Sequence, residues 1–266
     1  MDKELLNKLN MLQNHLKRLK KAVVAFSGGV DSTFLLKITS DMLGDSCIAV
    51  TLVTPAHSKQ EINEAKKIAS TFSIPHHLIT IDITKIKKFY ENPSDRCYHC
   101  KTYMFSTIKE FALSHNISSI LEGSNKNDLN QYRPGMKAIK ELGVLSPLVQ
   151  ADLTKQDIRK LSKHYHLPTW NKPANPCLAT RIPYDTRISK EILKQIEQAE
   201  NVLHSLGIKQ CRVRYHNEIA RIEVNKNDIE KNLSSSDLII KSFKELGFKY
   251  ITIDIEGYRS GSFDEG

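Results

Sequence analysis

The sequence lacks any long hydrophobic run. No stretch approaches the roughly eighteen consecutive apolar residues that a membrane-spanning helix needs. Residues 1–21 carry leucines at helical spacing among many charged residues, without the apolar centre of a secretory signal peptide. These absences predict a cytoplasmic protein that does not associate with a membrane.

Cysteine is sparse, and the five cysteines that are present form an odd number. An odd count without an export signal argues against a disulfide framework. Cys47 and Cys211 stand beside strand-like runs and are predicted to be buried as small hydrophobic residues. Cys97, Cys100 and Cys177 stand in polar segments that resemble loops, so these three require a separate explanation.

Acidic residues are outnumbered, because 39 lysines and arginines face 30 aspartates and glutamates and leave a net charge of +9. A positive balance favours an acidic partner, such as RNA, a membrane surface or a phosphorylated small molecule. The sequence has no long Lys/Arg run and no aromatic-basic RNA-recognition motif. Charge alone therefore leaves nucleotide substrates and RNA equally open.

Strand-like and helical patterns alternate along most of the chain. This alternation predicts an α/β domain over residues 1–185, with a parallel sheet covered by helices on both faces. After a loop rich in Pro and Asn at 171–184, the pattern predicts a small α+β domain over 186–266. The predicted strands are 22–26, 48–53, 77–83, 119–123, 211–215, 219–224 and 250–255, and the predicted helices are 33–43, 58–72, 102–115, 154–166, 190–206 and 236–246.

A glycine pair separates the first predicted strand from the first predicted helix, in the segment Ser27-Gly28-Gly29-Val30-Asp31-Ser32. Gly28 and Gly29 permit backbone angles and a close phosphate approach that a Cβ would obstruct. The following helix directs unpaired N–H groups and its positive dipole end to the same place. Ser27 and Ser32 can donate hydroxyls to phosphate, and Asp31 can cap the helix or help to hold Mg²⁺.

The spacing of this loop is neither that of Walker-type NTPases nor that of dinucleotide-binding folds. It resembles the Ser-Gly-Gly-x-Asp-Ser motif of the PP-loop ATP pyrophosphatases. The resemblance implies the adenine nucleotide alpha hydrolase-like fold, cleavage of ATP between its α and β phosphates, and adenylation of an acceptor before a nucleophile displaces AMP. It does not identify the acceptor, because GMP and NAD synthetases and tRNA-thiolating enzymes share the motif.

The three cysteines in polar segments leave three interpretations open. Cys97 and Cys100 form a C-x-x-C pair, which brings two sulfurs close enough to share a metal, a disulfide or a cluster. A structural zinc site needs a fourth ligand, for which His99 and His115 lack the usual spacing. A redox dithiol leaves Cys177 unexplained. A 4Fe–4S cluster held by three cysteines leaves one iron open for a sulfide or a substrate atom.

Further segments resemble the LarE family, the sulfur transferases that build the nickel-pincer cofactor of lactate racemase. Together these segments span nearly the whole chain in order. They are 24–33, 123–128, 132–135, 170–172, 181–184, 212–217, 220–223 and 257–261.

The LarE resemblance implies that ATP, with Mg²⁺, activates a carboxylate of a pyridinium mononucleotide and that sulfur attack then gives a thiocarboxylate. It implies that Cys177 carries the sulfur. One subgroup has this cysteine alone and sacrifices it to dehydroalanine. Because Cys97 and Cys100 are also present, the chain resembles the three-cysteine subgroup, in which the trio holds a 4Fe–4S cluster that carries sulfide from a sulfide donor. A homo-oligomer, such as a hexamer, is also implied.

Several charged residues are candidates for binding the phosphorylated ligands. Asp128 is a candidate Mg²⁺ ligand or adenylation-site residue, with an exposed loop acid as the alternative. Arg133 and Lys101 could pair with phosphate, although single basic residues are as often solvated. Arg181 lies four residues after Cys177, where it could hold substrate phosphate near the sulfur.

Arg212 and Arg214 alternate along a predicted strand and so share a face. Two guanidinium groups on one face suit a phosphate, and a strand with a salt bridge to Glu223 is the alternative. A tRNA-thiolating enzyme is the alternative function, but no added RNA-binding domain is evident in the sequence, which argues against tRNA as the partner. A nucleotide or redox sensor without turnover is the non-enzymatic alternative, and the intact phosphate loop argues against it.

Overall fold

The computed structural model describes residues 2–130 and 134–259. Its helices are α1 (Lys3–Lys17), α2 (Val30–Leu43), α3 (Lys59–Thr71), α4 (Lys87–Tyr90), α5 (Arg96–Ser114), α6 (Gly135–Glu141), α7 (Pro147–Gln150), α8 (Lys155–His164), α9 (Lys190–Ser205), α10 (Ile229–Ser234) and α11 (Ser236–Glu245). Its strands are β1 (Ala22–Ala25), β2 (Cys47–Val53), β3 (His76–Thr80), β4 (Ile120–Leu121), β5 (Cys211–His216), β6 (Ile219–Val224) and β7 (Tyr250–Ile253). None of the described helices is long and apolar enough to cross a membrane.

Backbone contacts divide the chain into two compact units. The first comprises Met1–Asp82 and Asp95–Asn175, and the second comprises Ile83–Ser94 and Pro176–Gly266. The Asn92 side chain explains why 83–94 joins the second unit, because it donates to the carbonyls of Pro183 (2.7 Å) and Thr186 (2.9 Å). The domain boundary at 185/186 stays a prediction of the sequence pattern.

The first unit is built on a four-stranded parallel sheet in the order β3-β2-β1-β4. Val24 of β1 pairs with Ala49 of β2 on one side and Leu121 of β4 on the other. Right-handed crossovers place α2 and α3 on one face of the sheet, and the return to β4 through α5 places that helix on the other face. The predicted α/β class is confirmed.

Helix α1 closes the first core from one side. Its four buried leucines recur every three or four residues, so they form a single apolar face. They pack in one cluster with side chains of β1 and α2, including Val24 and Phe34. Burying each such side chain contributes about 1.5–3 kcal/mol. The leucines are Leu5, Leu9, Leu12 and Leu16.

Helix α5 begins six residues earlier than the pattern predicts, at Arg96 instead of residue 102. Cys97 and Cys100 therefore lie within its first five residues and not in a loop, which corrects the prediction for their surroundings. This segment is anchored by polar contacts, which apolar periodicity does not register: the Tyr98 hydroxyl donates to Glu141 of α6 at 2.7 Å.

The second unit contains a three-stranded sheet in the order β5-β6-β7, antiparallel between β5 and β6 and parallel between β6 and β7. Helices α9 and α11 supply its core, with Leu203 and Phe243 buried against the strands. Cys211 of β5 and Cys47 of β2 in the first unit are both fully buried, which confirms the prediction for these two cysteines. The predicted small α+β region is likewise confirmed.

Candidate active site

The phosphate loop lies at the position where open α/β sheets bind ligands. Strands β1 and β4 are neighbours, but the chain leaves β1 toward β2, on the side away from β4. This reversal of strand order opens a crevice at the carboxyl ends of β1 and β4. Residues 27–32 follow β1 and residues 122–128 follow β4. The two segments therefore meet at the crevice.

Two glycines allow the close packing of these segments. Gly28 has φ +70°, and a Cβ there would lie 3.2 Å from both Cα and Cβ of Ala65 in α3. A Cβ on Gly123 would lie 3.0 Å from the backbone nitrogen of Ser32. The loop after β1 is thus pressed against α3, and the loop after β4 is pressed against the start of α2.

The hydroxyls of the loop bond to one another. The Oγ atoms of Ser27 and Ser32 are 3.1 Å apart, and Ser32 Oγ also donates to the Gly29 carbonyl at 3.3 Å. Helix α2 begins at Val30 without a side-chain cap. Its first-turn N–H groups, which have no partner within the helix, suit an anionic ligand such as a phosphate.

Asp31 is a charged residue in the first turn of α2. One of its oxygens, Oδ2, accepts from Lys155 Nζ, while the buried Oδ1 has no hydrogen-bond partner among the described residues. Burial raises the pKa of the Asp31 carboxyl, Lys155 opposes that rise, and Asp128 adds to it. A buried carboxylate oxygen beside a second carboxylate fits a divalent cation, because Mg²⁺ prefers oxygen ligands of this kind.

Asp128 is buried, with 7% of its surface exposed, so the alternative of an exposed loop acid is wrong. Its Oδ2 accepts from the Asn125 backbone N–H at 3.0 Å. Asn127 continues the loop and accepts the backbone N–H of Lys155 at 2.8 Å. The loop after β4 is therefore braced against the start of α8, the helix that carries Lys155.

Lys172 also reaches the phosphate loop, although sequence reasoning assigned it no role. Its Nζ donates to the Gly28 carbonyl at 3.1 Å and to Glu64 Oε2 at 2.7 Å. Arg159 of α8 holds the backbone in place by donating to the carbonyls of Trp170 (3.0 Å) and Lys172 (2.8 Å). The sole sequence signal was the membership of 170–172 in a segment that resembles the LarE family.

Lys101 and Arg133 are the other two candidate phosphate ligands of the first unit. The aliphatic chain of Lys101 passes over Gly135 at the start of α6, so closely that a Cβ on Gly135 would lie 2.5 Å from Lys101 Cδ. Arg133 lies outside the described residues.

Cys97 and Cys100 are three residues apart at the start of α5 and so share one side of that helix. Cys97 is exposed, and the half-buried Cys100 has its sulfur 3.5 Å from Met104 Sδ. His115 caps the far end of α5, about 22 Å along the axis from Cys100 at 1.5 Å per residue, so it cannot complete a zinc site with this pair. His99 contacts Asp95 at 3.2 Å.

The cysteines form no disulfide, and all five lie within the described ranges. Among the residues that the structure describes, no group of three or more His, Cys, Asp or Glu side chains is placed to hold a metal ion.

Cys177 precedes a single 3-10 turn, Leu178–Arg181, in the second unit. It is half-buried, and its carbonyl accepts from Thr180 Oγ1 at 2.8 Å and from Arg181 Nη1 at 3.2 Å. Arg181 Nη1 also donates to the Pro176 carbonyl at 2.6 Å. Arg181 thus holds the two peptide groups that flank the Cα of Cys177.

The Arg181 guanidinium is fully buried, and Glu200 of α9 is its ionic partner, with Nε to Oε1 at 2.9 Å and Nη2 to Oε2 at 3.2 Å. Glu200 Oε1 also accepts the Val213 backbone N–H of β5 at 3.0 Å. A guanidinium enclosed in this way has no surface for a phosphate. Its contacts favour positioning of Cys177 over the predicted phosphate binding.

Arg212 and Arg214 are buried on β5. Arg214 donates to Glu223 Oε2 at 2.8 Å and to the Thr180 carbonyl at 2.7 Å, so the salt-bridged alternative holds for this residue. Arg212 stacks 5.2 Å from the ring centre of Tyr258. Burial lowers the pKa of Arg212, and the positive charge of nearby Arg181 lowers it further. Positive charge is therefore concentrated beside the turn that follows Cys177.

The fold and the loop define the class of protein. A parallel sheet, a Ser-Gly-Gly-x-Asp-Ser turn at the switch point and a braced helix N-terminus constitute a PP-loop enzyme that uses ATP. In agreement, the sequence profile of the NAD synthase family matches residues 5–110.

Relatives that match over nearly the whole chain identify the family within this class. Pyridinium-3,5-bisthiocarboxylic acid mononucleotide synthase of Lactiplantibacillus plantarum is 37% identical over 251 residues, which is 94% of this chain and 91% of that protein. An uncharacterised protein of Synechocystis is 37% identical over 260 residues, 97% of each chain. An uncharacterised protein of Methanocaldococcus jannaschii is 33% identical over 258 residues, 96% of this chain and 98% of that protein. The chain belongs to the LarE family.

Proposed function

We propose that this enzyme is a sulfur transferase that converts an ATP-activated carboxylate of a pyridinium mononucleotide into a thiocarboxylate, as a step in nickel-pincer cofactor biosynthesis. The observation that carries the proposal is the 37% identity, over 94% of the chain, to a protein named as a pyridinium bisthiocarboxylic acid mononucleotide synthase. The phosphate loop and the buried turn that holds Cys177 supply the two halves of the chemistry.

The phosphate loop serves the activation step. A carboxylate oxygen of the substrate attacks the α phosphorus of ATP, the bond between the α phosphorus and the bridging oxygen breaks, and pyrophosphate leaves. The product is an acyl adenylate, whose AMP is a good leaving group. Asp31 and Asp128 are proposed to hold the Mg²⁺ that accompanies ATP, since one buried oxygen of Asp31 has no hydrogen-bond partner among the described residues.

In the second step a sulfide attacks the acyl carbon, a carbon–sulfur bond forms, and the bond to AMP breaks. Arg212, whose guanidinium stacks on Tyr258, is proposed to hold the phosphate of the mononucleotide. Arg214, which already donates to Glu223 and to the Thr180 carbonyl, is proposed to support that site and not to bind the phosphate itself. Arg181 is proposed to act through Cys177, whose backbone it fixes. Water must be excluded from the anhydride during this step.

Cys97, Cys100 and Cys177 are proposed as the ligands of a 4Fe–4S cluster. Their chemistry fits, because two thiols share one helical turn and all three are at least partly exposed and outside any disulfide. When bound, such a cluster supplies an open iron that can carry a sulfide. The identity of the sulfide donor and the homo-oligomeric state stay predictions.

Anaerobic purification tests the cluster. The expected result is about four irons and four sulfides per chain. Cys97→Ser, Cys100→Ser and Cys177→Ser should each lose the iron, whereas Cys47→Ala, which alters a buried cysteine of β2, should retain it. If the Cys97→Ser/Cys100→Ser double variant instead completes one turnover and Cys177 becomes dehydroalanine, the cysteine is sacrificed and the cluster proposal is wrong.

The substrate is tested by incubating the anaerobic enzyme with ATP, Mg²⁺, sulfide and a pyridinium-3,5-dicarboxylate mononucleotide. Release of AMP and pyrophosphate, with replacement of a carboxylate oxygen by sulfur detected by mass spectrometry, is expected. Thiolation of tRNA with no reaction of the pyridinium would contradict the proposal. Tight ATP binding without pyrophosphate release on either acceptor would favour a sensor.

A further inference from the structure

Two ammonium groups contact the phosphate loop from segments far along the chain. Lys155, the first residue of α8, pairs with Asp31, and Lys172 contacts both the Gly28 carbonyl and Glu64. The loop therefore has a lysine at its glycine turn and another at the first turn of α2. The activation chemistry derived above uses neither of them.

Stability does not explain these ion pairs. The side chains of Lys172 and Glu64 are 22% and 38% exposed, and those of Lys155 and Asp31 are 34% and 20% exposed. Ion pairs open to solvent to this extent contribute little to folding. By contrast, the backbone of both lysines is fixed, by Asn127 at Lys155 and by Arg159 at Lys172. The structure thus holds each chain at its base and leaves its charged tip in a weak, exchangeable contact.

We infer that Lys155 and Lys172 bind the β and γ phosphates of ATP and stabilise pyrophosphate as it leaves. Negative charge develops on that group as the bond to the α phosphorus breaks, and cations already in place stabilise it. A lysine suits this exchange because its ammonium is a compact charge on a flexible stem. When Lys155 moves to phosphate, Asp31 is released to hold Mg²⁺.

This inference rests on one part of the proposed function, the cleavage of ATP to release pyrophosphate. It does not depend on which acceptor is activated. Titration of the purified enzyme with ATP and, separately, with AMP isolates the contribution of the pyrophosphate portion, which AMP lacks. Lys155→Met and Lys172→Met should each weaken ATP binding about tenfold, equivalent to about 1.4 kcal/mol, and leave AMP binding near the wild-type value. Lys172→Arg should retain most of the ATP affinity.

Lys37→Met is the matched control, because Lys37 pairs with Asp41 on α2 at 2.5 Å and is 31% exposed, but lies away from the loop. It should bind ATP as the wild type does. The inference is overturned if a variant loses ATP and AMP affinity equally, if neither variant loses ATP affinity, or if Lys37→Met loses as much. Thermal unfolding shows whether a variant is misfolded. If a methionine variant is misfolded, the ATP affinity of Lys172→Arg decides. If the two lysine variants lose ATP affinity as expected but the wild-type enzyme does not thiolate the pyridinium, the inference stands and the proposed substrate is wrong.

Discussion

Replacing Gly28 by alanine tests whether the phosphate loop depends on its contact with α3. Gly28 has φ +70°, a left-handed backbone that costs a residue with a Cβ about 1–2 kcal/mol. The new Cβ would also lie 3.2 Å from Cα and Cβ of Ala65, where the helix backbone cannot easily move. Overpacking of this kind costs about 1–3 kcal/mol. The expected total for Gly28→Ala is therefore about 2–5 kcal/mol.

Gly143→Ala is the matched control, because Gly143 has the same φ of +70° and no atom within 4 Å of the position of a Cβ. It should lose only the conformational part, about 1–2 kcal/mol. Urea unfolding followed by circular dichroism gives the free energy of unfolding of each variant, and titration gives its ATP affinity. Gly28→Ala should lose more free energy of unfolding than Gly143→Ala does. It should also bind ATP more weakly, because its loop is displaced.

Ala65→Gly removes the Cβ, which is one of the two atoms 3.2 Å from the new methyl group, and leaves the Cα in place, so it relieves part of the collision. The double variant should therefore be less destabilised than the sum of its two single changes, a non-additivity expected for residues in direct contact. If Gly28→Ala and Gly143→Ala lose the same free energy of unfolding and ATP affinity is unchanged, the close approach of loop and helix does not matter and the reasoning is wrong.

Three other outcomes are expected. Alkylation of the native, cluster-free protein near neutral pH should spare Cys47 and Cys211, because burial raises the pKa of each thiol to about 12, and should label the other three cysteines; equal labelling of all five in peptide mass spectra would contradict their burial. Arg181→Ala should lower the free energy of unfolding by about 3–5 kcal/mol, since it leaves a buried carboxylate unpaired, and a loss in urea unfolding no larger than that of a surface substitution would argue against this. Burial would raise the pKa of Glu64, but the hydrogen bonds from Lys172 and Gln60 and the charges of Lys172 and Lys67 together outweigh this and lower the pKa below the ordinary 4.5. The small stabilisation from this pair should therefore be present above that value and be lost as pH falls through the lowered pKa. NMR titration should show the Glu64 pKa rising in Lys172→Met.

Much of the first unit could be predicted from the sequence because its signals are local. The apolar run before Gly28 and the helical spacing after Ser32 predict a strand, a tight turn and a helix, and these elements form as expected. The glycines carry their own conformational information, since a backbone angle is a property of one residue and its neighbours. The class of ATP-using enzyme follows from this short segment.

The amino-acid sequence by itself thus determined the parallel α/β class, the phosphate loop, the burial of Cys47 and Cys211, and the family. The tertiary structure decided which charged groups meet. Lys155 and Lys172 contact loop residues that are 124 and 144 positions away in the chain, and Arg181, which looks like a phosphate ligand in the sequence, is enclosed by Glu200. Periodicity records which side of an element is apolar, but the partner of a charged side chain depends on how distant segments pack, and that information appears only once the chain has folded.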